Sequence, residues 1–159
     1  VCSSDLNVKA TAFHTPHDSA ESTDYTFSDS ENKIAVCTDL GHITKEVREN
    51  LLGCRFVLLE ANYDPEMLTR NLNYPYQLRE RIRSDRGHLS NGDCGAFARE
   101  LVKSGTVSLL LGHLSQNNNT PELALRTVEA ALGSAGAVRG RDYILDAAAV
   151  TGSGKAIAI

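Results

Sequence analysis

No apolar run in the 159 residues approaches the roughly 20 needed to span a bilayer, and no charged-then-apolar leader of the secretory kind is present. A cytoplasmic protein with no membrane partner is the expectation. The four cysteines (Cys2, Cys37, Cys54 and Cys94) contain no Cys-x-x-Cys pair, which argues against a zinc knuckle. Two of them sit in apolar segments where a thiol behaves as a small hydrophobe, so free thiols are expected. Gly152-Ser-Gly-Lys155 lacks the earlier glycine of a phosphate loop and reads as a hairpin turn. There is no internal repeat, low-complexity segment or linker. A net charge of -4 supplies no global attraction to nucleic acid, though a local basic patch could still bind phosphates.

What is present is ordinary globular composition, 42% hydrophobic and 23% charged, enough for one domain or a large piece of one. Val1 to Leu6 bears no relation to the pattern that follows and is set aside as a non-native tail, leaving 7–159 as the folded unit. Alternation over Asn7–Phe13 predicts a half-buried strand, and Thr23–Phe27, Lys33–Cys37, the buried segment Arg55–Leu59 and the hydrophobic run Thr106–Leu111 read as further strands. Thr44, Asp64 (followed by Pro65 and Glu66), Ser90 and Thr120 (followed by Pro121 and Glu122) have the chemistry of helix N-caps. A further helical segment spans about Pro75 to Ser84. Cys94, Phe97, Ala98, Leu101 and Val102 make one apolar helical stripe. Asp142 to Ile159 suggests two strands broken by Thr151-Gly-Ser-Gly154. The pieces compose a mixed α/β unit.

Three hydrophobic strands end on a polar, metal-capable side chain: Asp39, Glu60 and His113. Groups at strand ends are held rigidly while facing a cleft. Together with His17 they offer the imidazole and carboxylate donors that hydrolytic metal sites use. Taken singly, each is more often a turn or capping residue. His14 competes with His17, but a solvent-facing role suits it better, and His42 has nothing beyond its place before a cap to recommend it. His88, just before a helix start, either contacts a substrate phosphate or donates a proton, or else packs between helices. Glu60 either supports a ligand histidine by a hydrogen bond or caps a turn. Arg70, Arg79, Arg81, Arg83 and Arg86 form either a solvated face or a phosphate track.

The surrounding residues narrow these choices. His17-Asp-Ser-Ala-Glu21, Thr38-Asp-Leu-Gly41, Glu60-Ala-Asn-Tyr-Asp64-Pro-Glu-Met-Leu68, Tyr74-Pro-Tyr-Gln-Leu78 with Arg81-Ile82, Gly87-His-Leu-Ser-Asn91 and His113-Leu-Ser-Gln-Asn-Asn118 occur in this order. The series resembles the YycJ/WalJ-like branch of the metallo-β-lactamase superfamily from Phe13 to about Ala124. The resemblance implies the C-terminal half of a four-layer αβ/βα sandwich. It also implies a two-metal phosphodiesterase, a DNA exonuclease in complete form, working through a metal-bridging hydroxide. His17, Asp39 (bridging) and His113 would be metal ligands, with Asp39 and His88 serving the chemistry. Asp18 and Glu60 would support the ligands, and Arg79, Arg81, Arg83 and Arg86 would hold DNA. The cofactors would be two divalent ions, zinc or manganese, with iron also compatible.

The family's His-x-His-x-Asp-His motif is absent from this sequence and is expected on a preceding N-terminal half, without which the fragment would be inactive. Ser22 and Tyr63 depart from the family's usual residues. Rival readings are a small-molecule phosphodiesterase, for which the arginines should point away from the metals, and a non-catalytic module retaining the fold.

Overall fold

A computed structural model describes residues 7–149. Strands β1 (Lys9–His14), β2 (Thr23–Ser28) and β3 (Lys33–Cys37) form an antiparallel meander. From β3 onward the chain alternates strand and helix. The elements are α1 (Lys45–Leu51), β4 (Phe56–Glu60), α2 (Pro65–Arg70), α3 (Tyr76–Arg83), α4 (Asn91–Lys103), β5 (Ser108–Gly112), α5 (Pro121–Ser134) and β6 (Ile144–Ala147). Strands β3 to β6 are parallel, and the six-stranded sheet keeps sequence order throughout. Parallel neighbours need a crossover, and α1, α4 and α5 lie in those connections.

The capping residues act as their chemistry dictates. Thr44, Ser90 and Thr120 accept from the backbone N–H three residues on, and Asp64 accepts from Glu66 and Met67, each filling a donor that a helix start leaves open. The expected strand at Thr106–Leu111 begins two residues later. Thr106 instead turns its hydroxyl to the Cys54 carbonyl and its N–H to Leu101. Of the two C-terminal strands expected, β6 is present; the segment proposed for the second lies outside the described residues. Cys37, Cys54 and Cys94 are buried free thiols, and burial pushes each pKa upward. Among the described residues no helix is long and apolar enough to cross a membrane.

Period-two alternation sorts the sheet into two faces. Ala35, Cys37, Val57, Leu59, Leu109, Leu111 and Leu145 are fully or almost fully buried in one core with Val47, Leu51, Phe97, Leu101, Val128 and Leu132 of the helices. Each such aliphatic or aromatic side chain contributes about 1.5–3 kcal/mol when fully buried. The intervening residues Ile34, Val36, Phe56, Leu58 and Leu110 are also apolar but only half-buried, and Ile144 is exposed. Strands apolar on both faces are the mark of a sheet meant to be covered on both. Among the described residues the helical core covers one of them.

Candidate metal centre

The carboxyl ends of β3, β4 and β5 open at the same edge of the sheet. The parallel register that pairs Cys37 with Leu59 and Glu60 with Gly112 places Asp39, Glu60 and His113 side by side. Asp39 and His113 both adopt left-handed backbone, φ 51° and 55°. That conformation costs an L-residue on the order of 1–2 kcal/mol, though Asp and His tolerate it better than most. Such strain is concentrated where side chains must be aimed.

Two glycines bring the remaining loops in. Gly41 packs so closely under the Asp85 carbonyl, and Gly87 against the Arg81 and Ile82 carbonyls, that neither site has room for a Cβ. The close approach lets Gly41 N–H reach Pro16 O at 2.9 Å, His42 Nδ1 meet Asp85 O at 2.9 Å, and Arg86 reach the His17 carbonyl. Segments 15–18, 39–42 and 84–88 are thereby tied together, carrying His17, Asp39 and His88 to one place.

Glu60 is the organising residue. It is fully buried and accepts four hydrogen bonds: Oε2 from Leu40 N–H (3.0 Å) and Leu89 N–H (3.1 Å), Oε1 from His88 Nδ1 (2.8 Å) and His113 Nδ1 (2.6 Å). Burial alone would raise its pKa. The bonds from His113, His88 and Leu40 outweigh that and hold it below the ordinary 4.5. His113 in turn is raised above 6.5, chiefly by its bond to Glu60 and against its own partial desolvation. His17 gives Nδ1 to the Gly87 carbonyl at 2.9 Å. All three rings are thus anchored through Nδ1, leaving Nε2 as the other ring nitrogen.

The sequence-predicted residues His17, Asp39 and His113 are brought together: Asp39 Oδ1 lies 3.7 Å from His17 Nε2 and 3.5 Å from His113 Nδ1. His88 stands between the two histidines, with ring centroids 4.9 Å from His17 and 5.2 Å from His113, and its Nδ1 is 3.7 Å from Asp39 Oδ1. The donor atoms of Asp39, Glu60, His88 and His113 fall within 4.8 Å of one another. Glu60 belongs to that group, and with four hydrogen bonds already accepted it orients the two histidines. The donor set of imidazoles plus the half-exposed Asp39 carboxylate fits a divalent cation with mixed nitrogen and oxygen preference.

His14 is exposed, with its backbone N–H bonded to Glu46, and does not line the cleft. Asp18 stands at the mouth of the cleft, paired with Arg81 and 3.4 Å from His17 Nε2. The arginine cluster divides. Arg81 and Arg86 stay beside the histidines, whereas Arg79 and Arg83 turn to Thr69, Arg83 also pairing with Glu80. Of the four arginines expected to bind substrate, only Arg81 lines the histidine cleft.

A network of asparagines went unnoticed in the sequence. Asn62 donates to the His113 carbonyl at 2.7 Å, and buried Asn119 ties Ala61, Asn62 and Asn91 together. No single spacing announces it, because its members come from three connections.

No protein-family model matches the chain. A Bacillus anthracis protein named exodeoxyribonuclease YycJ is 33% identical over 130 residues, covering 82% of this chain and 49% of its own length. Exodeoxyribonuclease WalJ of Streptococcus pneumoniae is 32% identical over 139 residues, covering 87% and 51%. The chain is YycJ/WalJ-like over the aligned residues and, as the solved structures show, has the metallo-β-lactamase fold. It spans about half the length of the curated relatives it matches.

Solved structures show the same fold. The metallo-β-lactamase fold protein YhfI of Bacillus subtilis superposes with a TM-score of 0.62 at 14% identity, over 89% of this chain and 47% of that one. Zinc-bound PqqB of Methylobacterium extorquens gives 0.54 at 16% identity, over 89% and 44%.

Proposed function

We propose that this YycJ/WalJ-like chain forms one half of the active site of a metal-dependent phosphodiesterase that removes nucleotides from DNA ends. The observation carrying the proposal is the set of three histidines, each anchored through Nδ1, gathered around the half-exposed Asp39 carboxylate. Imidazoles so anchored have a fixed tautomer and ring direction, which is how ligand histidines are prepared for a cation. His17, Asp39 and His113 would hold the metal. A pair of divalent ions bound there would lower the pKa of a water and polarise a phosphoryl oxygen.

His88 sits between the outer two histidines, and its Nε2 would deliver a proton to the leaving oxygen. Arg81 and Arg86 would hold the scissile and adjoining phosphates, as guanidinium groups suit that geometry. Two histidines and one aspartate fall short of two full coordination shells. The half-covered apolar face of the sheet supports a second layer packing there, and in a protein of the relatives' length that layer would carry the family's His-x-His-x-Asp-His ligands. The names of the two relatives support a DNA substrate over a small phosphodiester.

The test is Asp39→Asn in the full-length protein. A neutral amide cannot compensate two cations, so bound metal should fall and release of nucleotides from single-stranded DNA should drop by at least about 100-fold. Binding of DNA, measured by anisotropy without metal, should change by less than about threefold. Turnover close to wild type would refute the proposal.

A further inference from the structure

Helix α3 contributes no buried residue to the protein core. An amphipathic helix ordinarily buries its apolar stripe, yet Leu78 and Ile82, one turn apart, are only half-buried. Both line a cleft of about 330 Å³ whose floor is His17, His88 and His113. Tyr74, just ahead of the helix, and Leu114, just after His113, line the same space. The Tyr74 hydroxyl accepts a hydrogen bond from Asn117 Nδ2 at 3.1 Å, which fixes the ring. Arg81 stands on the same wall, paired with Asp18 across the opening. The cleft therefore has one apolar wall with an anchored aromatic ring, one guanidinium paired with Asp18 and the histidine cluster at its base.

We infer that this recess receives the nucleoside at the end of the DNA strand, its base lying against Tyr74, Leu78, Ile82 and Leu114 while Arg81 leaves Asp18 for the adjoining phosphate. The inference rests on the nuclease reading above and adds which part of the substrate is recognised and by what. A flat, weakly polar face in water suits an aromatic and aliphatic wall, and stacking on such a wall is tolerant of base identity. The volume, at the low end of small-ligand sites, matches one nucleoside rather than a run of them. The Asp18 carboxylate, hydrogen-bonded to Arg81, lines the same recess. An incoming phosphate meets a competitor of its own charge for that guanidinium, which favours exchange of partners over a permanent pairing.

The experiment compares two oligonucleotides in the metal-loaded, full-length protein, one with a normal terminal nucleotide and one whose terminal residue is abasic. The normal end should be favoured by on the order of tenfold in kcat/KM, the scale of a single base stack. The combined Leu78→Ala and Ile82→Ala variant should collapse that ratio towards one. Tyr76→Ala, exposed on the same helix and outside the recess, should leave the ratio intact. A readout independent of turnover is the affinity of the metal-free protein for thymidine 5′-monophosphate against 2-deoxyribose 5-phosphate, which should differ by a similar factor. Equal treatment of the two ends by the wild type, with DNA still degraded, overturns the recess while the nuclease reading stands. Absence of any DNA hydrolysis by the metal-loaded wild type overturns that reading instead.

Discussion

Replacing Glu60 by glutamine tests the logic of the site most directly. Leu40 N–H and Leu89 N–H both point at Oε2, so the glutamine oxygen must take that place. Its amide nitrogen is then forced into the position of Oε1, facing His88 Nδ1 and His113 Nδ1. Two donors cannot face one another, so both rings must offer a lone pair at Nδ1 and carry their proton on Nε2. That is the atom a metal would need. Loss of a partner that orients a ligand histidine costs about 10- to 100-fold in metal affinity, and His113 is the ligand affected, so a loss of roughly that size is expected.

The effect on folding should be smaller. Charge-assisted bonds worth about 1.5–3 kcal/mol each are exchanged for weaker ones, but a buried charge is removed as well. Long-range nitrogen–proton correlation spectra of the metal-free protein should show Nδ1-protonated rings in the wild type and Nε2-protonated rings in the variant. Calorimetric titration with zinc or manganese would give the affinity.

Linkage adds a pH signature. The Glu60 contribution, with a depressed pKa, is present above pH 4.5 and fades as pH falls through its folded value. The His113 contribution, with a raised pKa, is present below pH 6.5 and fades as pH rises through its folded value. The stability gap between wild type and variant, both metal-free, should thus be widest between pH 4.5 and 6.5. Unchanged tautomers together with metal affinity within a few-fold of wild type would refute the assignment of Glu60 as the orienting group.

Gly41→Ala should cost at least about 3 kcal/mol, the upper end for overpacking, because its Cβ would strike backbone at Asp85 rather than a side chain able to move; urea unfolding would measure it, and Gly53→Ala, in open space but at positive φ, should cost less. Asp24 has its pKa pushed up to about 6 by burial, against the pull of the Thr38 N–H. Its ionisation therefore opposes folding, with no penalty below pH 3.8 and the full one above about pH 6. Asp24→Asn, which keeps an acceptor for Thr38, should flatten the fall in stability across that window in the metal-free protein, by about 3 kcal/mol at most; an unaltered pH profile would count against the raised value.

Much of the architecture was legible in the chain itself because its causes are local. Thr44, Asp64, Ser90 and Thr120 mark helix starts by hydrogen bonds to residues two or three positions away, and the apolar runs in Lys33–Cys37 and Arg55–Leu59 need only neighbours to be recognised. The candidate ligands His17, Asp39 and His113 were visible too, as strand-end or loop groups within an ordered series of family motifs.

The choice between alternatives for His88, Glu60 and the arginines was not visible. Glu60 meets His88 and His113 across 28 and 53 residues of intervening chain, and nothing in the sequence states that one carboxylate oxygen will serve both rings. Arg79, Arg81 and Arg83 lie on a short helix without buried anchors and Arg86 in the loop after it, so which of them stands beside the histidines depends on where helix and loop come to rest. Local chemistry determined the elements and the kinds of donor they carry. Which donors meet, which nitrogen each ring presents and which arginines remain at the cleft were decided by the parallel register of β3, β4 and β5, and by two glycines that let three loops touch.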